Sequence, residues 1–261
     1  MLYGVYGKAQ TLYNLPAAFI TPLTISVVPA IAACRVTHRG RESSRIAENS
    51  LRIATVICLP MGVGLSVLAE PIMTIIYPGS HESGPELLLL MGAASFFVCM
   101  ALMMNAILQA GGNEKYPIYS MIIGGVVKIA VNWFLVADPG INILGAPIGT
   151  LSCYAVMCVM DYIFLCRVMP DRPRLGSILA RPVLSCAAMG LTAWAAYGLA
   201  MRFLGGGDAG RLMMALCMCL AIGAAVIVYL ALTVLTRAVT YEDMKLIPRG
   251  EMLARLLRIR P

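Results

Sequence analysis

The chain has 261 residues, 60% of them hydrophobic and only 13% charged, with a mean hydropathy of +0.82. Soluble domains run near half apolar and a quarter charged, so this composition excludes an ordinary soluble domain and implies a chain solvated mostly by lipid. The formal net charge of +7 is a signal of membrane topology, with no nucleic-acid partner implied.

Seven apolar blocks, most of them near or above the ~20 residues a helix needs to cross a bilayer, predict spans over about 12–34, 52–77, 86–110, 117–137, 143–167, 178–204 and 211–236. The fold class is therefore an all-α polytopic membrane protein; a β-barrel would show short segments of alternating polarity instead. Met1 is followed by a stretch without a basic n-region, so no cleavable signal peptide is expected.

The first block, "TLYNLPAAFITPLTISVVPAIAAC", carries Pro16, Pro22 and Pro29. Each proline removes a backbone donor and clashes one turn back, which predicts a kinked or broken helix. Membranes tolerate broken helices where they face protein or a wet cavity; a kinked packing helix is the alternative reading. Next, "RVTHRGRESSRIAENSLR" reads as a polar, basic loop with room for a helical turn or two on the membrane surface. The short, turn-rich "YPGSHESGPE" and "ADPGIN" join later spans, the second making the fourth and fifth antiparallel neighbours. "MPDRPRLGS" reads as a hinge between a five-helix block, 1–170, and a helix pair within 171–238. Residues 239–261 form a basic tail ending in "EMLARLLRIRP", either a short amphipathic surface helix or a frayed end.

Placing successive loops on alternate sides puts all but Lys8, Lys128, Arg202 and Arg211 of the 20 Lys and Arg on one side. The positive-inside rule makes that side cytoplasmic, with the C-terminus inside and the N-terminus outside the cell membrane. The nine cysteines fall in or at the ends of spans without CxxC spacing, so they read as small apolar filler. His38 and His81 lie in loops as solvated histidines, and Glu70 snorkels to the outer end of its span. No metal or cofactor is called for.

Lys128 stands near the middle of the fourth span, with Gly124 and Asn132 on its face and Ile129, Trp133 and Phe134 elsewhere. The small and polar stripe should face other helices or water, the bulky side lipid. A mid-bilayer lysine costs about 2.5–3.5 kcal/mol on insertion scales, so it should have a partner or a wet cavity. Thr150, Tyr154 and Asp161 share a stripe on the fifth span. Span positions put Asp161 roughly 7 Å from Lys128 in depth, within the lean of the two side chains. A Lys128–Asp161 pair, bridged by water or Tyr154, is therefore expected. It has two readings: a structural lock between helices, or a functional site for an anionic headgroup or a proton. Asn14, Asn105 and Gln109 can satisfy themselves across helices. Without a nucleophile–base pair, P-loop or dinucleotide fingerprint, an enzyme reading has no residues to stand on.

At "LYNLPAAFITPLTISVVPAIA" the chain resembles the multidrug/oligosaccharidyl-lipid/polysaccharide exporter superfamily, in its stage V sporulation protein B and lipid II flippase branch. "AILQAGGNEKYPIYSMIIGGVVKIAVNWFLV", "INILGAPIGTLSCY" and "TYEDMKLIPRGEML" carry the same resemblance in family order. It implies a transporter, with one incomplete lobe of five helices followed by the family's added C-terminal helix pair. Family members usually have fourteen spans and move a lipid-linked saccharide across the cytoplasmic membrane by alternating access. Only the eighth to fourteenth are matched here. The implied partners are the bilayer, a lipid-linked saccharide and a missing N-terminal half; a chain cut at an outer loop, a late start codon and a natural half-length protein all fit.

In the family the eighth span lines the central cavity, which here points to Thr11, Asn14 and the proline-bent helix after them. Lipid II flippases often carry a cavity arginine near the position of Thr11, and this sequence lacks it. The final pair resembles helices thought to form a lipid-tail groove. With these, Lys128, Asn132, Tyr154 and Asp161 complete the cavity-lining candidates. The expected function is a flippase for lipid-linked oligosaccharide or peptidoglycan precursors in cell-wall or spore biogenesis. Two alternatives stand beside it: an ion-coupled multidrug exporter of the same superfamily, and a non-transporting scaffold subunit of cell-wall or spore-coat synthesis.

Overall fold

The computed structural model describes residues 2–79, 83–138, 140–204 and 210–236. Its elements are α1 (Leu2–Tyr13), α2 (Leu15–Val36), α3 (Gly40–Val67), α4 (Ala69–Ile76), α5 (Gly84–Ala110), α6 (Lys115–Val136), α7 (Gly145–Val168), α8 (Leu175–Leu204) and α9 (Arg211–Leu235), with a 3-10 turn at Asn142–Leu144 before α7. No strand occurs among the described residues. Among the described residues, seven helical stretches are long and apolar enough to cross a membrane, α1 and α2 together making the first. The chain is an all-α polytopic membrane protein.

Helix α5 is apolar on every side, the pattern of a helix enclosed by others. It packs against α1, α2, α3, α4 and α7, burying Leu87, Met91, Cys99, Met103 and Ile107. Its closest approach is to α3, where Gly62 and Gly92 lie backbone against backbone. A Cβ on Gly62 would stand 2.8 Å from the Gly92 carbonyl oxygen, and one on Gly92 would stand 2.8 Å from the Ser66 nitrogen. The Ser66 hydroxyl donates to the Leu89 carbonyl at 2.9 Å and fixes the crossing. Small residues permit such close approach in membranes. Gly92→Ala is expected to destabilise the fold by about 1–3 kcal/mol through overpacking, read as a lowered melting temperature in detergent. An unchanged melt would mean that this crossing is loose.

Helix α6 sits at the edge, packed almost wholly on α7. α8 and α9 form a hairpin that leans on α3 and α4, and the Tyr229 hydroxyl donates to the Val56 carbonyl of α3 at 2.7 Å. The cysteines are free thiols, mostly buried, with Cys219 exposed.

Four elements depart from the sequence expectation. The first span breaks once, at Asn14, with Pro16 in the first turn of α2, where a missing N–H costs nothing; Pro22 and Pro29 lie inside unbroken helix. The supposed surface loop shrinks to Thr37–Arg39, because α3 begins at Gly40 and runs unbroken to Val67. At 1.5 Å per residue, its 28 residues reach about 42 Å and project beyond a ~30 Å hydrocarbon core. The second predicted span divides at Leu68 just before Pro71, and α4 continues it with Glu70 exposed in its first turn. The supposed hinge is tied down: Pro170 packs on Gly40, the Asp171 N–H donates to Ser44 Oγ at 3.4 Å, and the Tyr162 hydroxyl donates to the Pro173 carbonyl at 3.0 Å. His81 and the tail 239–261 lie outside the described residues.

Candidate functional site

Two faces of the bundle differ in chemistry. α6 turns outward Ile118, Met121, Ile122, Val126, Ile129, Trp133 and Phe134, and α8 and α9 turn out Leu184, Trp194, Phe203, Leu216 and Ile227. These are bulky apolar surfaces of the kind that meets lipid. The exposed stripe of α1 and α2 instead mixes Gly7, Gln10, Thr11, Asn14, Ala18, Thr21 and Pro22 with the apolar Leu15, Phe19, Ile25 and Val28. Its opposite stripe, Leu12, Ile20, Leu23, Val27 and Ile31, is buried against the bundle. Small and polar side chains in a stripe suit contact with another polypeptide or with water.

The hydroxyls on this face are satisfied locally. Thr11 donates to the Gly7 carbonyl at 3.1 Å, Thr21 to Ala17 at 3.0 Å and Thr24 to Thr21 at 2.7 Å. They can accept from a ligand without breaking a tertiary contact. Thr11 and Asn14 are both exposed, on either side of the buried Tyr13. Tyr13 meets Tyr154 of α7 and links the helix break to the middle of the bundle.

On its other side α7 faces α6 in a single antiparallel register. Gly124 packs on Cys153 and Met157, Asn132 on Gly149, and Val136 on Gly145. The Gly124, Lys128 and Asn132 stripe thus faces a helix, as expected, with Ile129, Trp133 and Phe134 outward. In this register Lys128 lies beside Cys153 and Asp161 beside Ser120. The expected Lys128–Asp161 pair does not form. From Cys153 to Asp161 is eight residues of α7, about 12 Å of rise, too far for two leaning side chains to bridge.

Lys128 is half-buried with no counter-charge among the described residues. Asp161 is fully buried, and neither carboxylate oxygen accepts a hydrogen bond. The nearby Ser120 hydroxyl donates to the Pro117 carbonyl at 3.0 Å instead. Asn132 Oδ1 and Asn105 Oδ1 are also buried without a partner, so Asn105 is not satisfied across helices as expected. Gln109 is exposed.

The structure thus sets Tyr154 against the buried Tyr13, leaves Thr11 and Asn14 on the exposed side of α1 and α2, holds Lys128 and Asn132 on the far side of α7, and sets Asp161 apart. Tyr13, Cys153 and Ser120 are the contacts that sequence reasoning missed. Among them only Tyr13, beside Asn14 and just ahead of Pro16, carried a signal. Separately, an apolar cavity of about 320 Å³ opens between α3, α8 and α9, lined by Met61, Leu68, Met189, Ile222, Val226 and Tyr229.

Three relatives frame this arrangement. The chain is 24% identical over 260 residues to the uncharacterized membrane protein YabM of Bacillus subtilis (strain 168), a match covering 99% of this chain and 47% of YabM. It is 26% identical to stage V sporulation protein B of the same organism, over 63% of this chain and 31% of that protein. To the lipid II flippase MurJ of that organism it is 25% identical, over 47% of this chain and 23% of the flippase. The chain spans less than half the length of each of these relatives. Relatives named as flippases are transporters and not enzymes. The profile of the lipid II flippase MurJ family matches residues 4–218, and the chain belongs to that family.

Proposed function

We propose that this chain supplies part of one lobe of a flippase that carries a lipid-linked saccharide precursor across the cytoplasmic membrane, the other lobe coming from a second polypeptide segment. The observation that carries the reading is the face of α1 and α2, broken at Asn14 and bearing small and polar side chains, left open at the edge of a bundle whose other edges are lipid-like. Thr11, Asn14 and Tyr154 would line the cavity between the lobes, and rocking of one lobe against the other would expose it to each side in turn. The arginine-rich ends of α2, α3 and α7 would lie in the cytoplasm. The apolar cavity between α3, α8 and α9 would take the acyl or prenyl tail. An ion gradient or the membrane potential would drive the cycle.

The test is flipping of a fluorescent lipid-linked saccharide in proteoliposomes containing this chain together with an N-terminal half from the same genome. Flipping that falls when Asn14 is changed to Leu supports the reading; flipping indifferent to that change removes the cavity from α1 and α2. One observation favours a second reading, the ion-coupled drug exporter. Asp161 is a buried carboxylate without a partner, the group such a carrier uses to hold its coupling ion. Uptake of lipophilic cations in the same vesicles, lost in Asp161→Asn, would select it over the flippase.

A further inference from the structure

A second cavity, of about 300 Å³, lies at the arginine-rich end of the bundle, where the last turns of α2, α5 and α7 meet the start of α3. Ile107, Leu108, Leu165 and Met169 give it an apolar wall, while Arg35 and His38 supply its basic groups. None of its lining residues is acidic. Glu114 and Asp171 each follow a lining residue in sequence, and Glu42, near the start of α3, is paired with Arg39 at 3.4 Å.

The two basic side chains are exposed at the mouth of the cavity and, among the described residues, unpaired. The Arg35 guanidinium lies across Gly112, whose φ of +75° and close approach leave no room for a side chain. The His38 N–H donates to the Arg35 carbonyl at 3.2 Å, but neither side chain makes a hydrogen bond or ion pair with the described residues. His38 has a φ of 53° in the left-handed region, which a residue with a Cβ enters only at a cost. This conformation ends α2, with the Arg39 N–H donating to the Cys34 carbonyl at 2.9 Å, and it fixes where the chain turns at the mouth of the cavity.

A cavity with two idle basic groups, no acid and an apolar wall fits an anion joined to something greasy. Its size stands at the lower bound of ligand pockets. Arg35 sits one residue from the end of the first span, at the depth of lipid headgroups. We propose that this cavity binds the phosphate of an anionic membrane lipid, with Arg35 and His38 as the phosphate ligands and the Ile107, Leu108 and Leu165 wall against the lipid's glycerol and upper acyl carbons. Basic pockets between membrane helices bind anionic headgroups in this way, and arginine suits phosphate by its planar fork. The site is independent of the transported cargo and of the α1–α2 face.

Native mass spectrometry of the full chain, released from nanodiscs of phosphatidylglycerol and phosphatidylcholine mixed equally, tests it. The expected result is a retained phosphatidylglycerol adduct, weakened about tenfold in Arg35→Gln, the loss of one charge-assisted contact. The His38→Gly variant separates binding from folding. Glycine relieves the left-handed conformation, so its melting temperature should hold or rise while the adduct weakens. Arg41→Gln, a nearby exposed arginine outside the cavity, should bind as the unaltered chain does. Equal retention of phosphatidylcholine, or adducts unchanged in both pocket variants, would overturn the proposal. Capture of inorganic phosphate without phosphatidylglycerol would assign the cavity to a free anion and overturn the lipid as its source.

Discussion

Lys128→Met is expected to stabilise the isolated chain by about 2.5–3.5 kcal/mol, the insertion cost of a mid-membrane lysine. Methionine keeps the unbranched shape and removes a charge that finds no opposite partner among the described residues. Asp161→Asn should be neutral or stabilising for the same reason, since both carboxylate oxygens are buried without a partner. The double-mutant cycle decides between this account and a hidden ion pair. Breaking a buried pair by removing one partner costs about 3–5 kcal/mol; here the two effects should add to within about 0.5 kcal/mol. Thermal melts of the four proteins in one detergent measure it. Destabilisation by either single change, with strong coupling, would restore the pair and refute the register of α6 on α7.

The second large effect concerns the face of α1 and α2. Ala18→Trp and Thr21→Trp place bulk on an exposed stripe, so the isolated chain should fold and melt almost as before. Joined to its other half, the same variants should lose more than about tenfold in flipping, because a closing cavity has no room for an indole. Phe134→Trp, on the outward side of α6, serves as the control and should flip normally. Full activity in Ala18→Trp and Thr21→Trp would make that stripe a lipid surface.

Much of this fold was legible because lipid imposes a simple requirement. Long apolar runs have no stable alternative to helix in a membrane, and the seven spans emerged from hydropathy, the last five with ends within two residues, the first two beginning eight and twelve residues earlier than expected. The stripe of Gly124, Lys128 and Asn132 correctly faced α7, since small and polar groups leave the lipid surface. What failed was depth. The proposed pair depended on where each span begins, and the contact of Gly145 with Val136 sets α7 deeper against α6 than the apolar boundaries implied. An error of one turn separates two side chains that could otherwise touch.

The start of α3 was misread for a different reason. Arg41, Glu42, Arg45, Glu48 and Arg52 lower the hydropathy to that of a loop, yet Ser44, Ala47, Leu51 and Ala54 recur at helical spacing and are buried. That period, together with the Glu48–Arg52 ion pair at 3.4 Å one turn apart, was the available signal. The candidate site was less legible than the fold. Tyr154 meets α1 only through Tyr13, a contact between helices far apart in sequence that no local pattern announces, while Thr11 and Asn14 stay on the exposed side.

The most direct measurement of the central claim is flipping by the purified, monomeric chain in proteoliposomes, with and without a separately expressed N-terminal half. No flipping is expected from the chain alone and clear flipping once the two are combined, because the cavity needs both walls. Flipping by the monomer alone, at a rate the second half does not change, would contradict that claim.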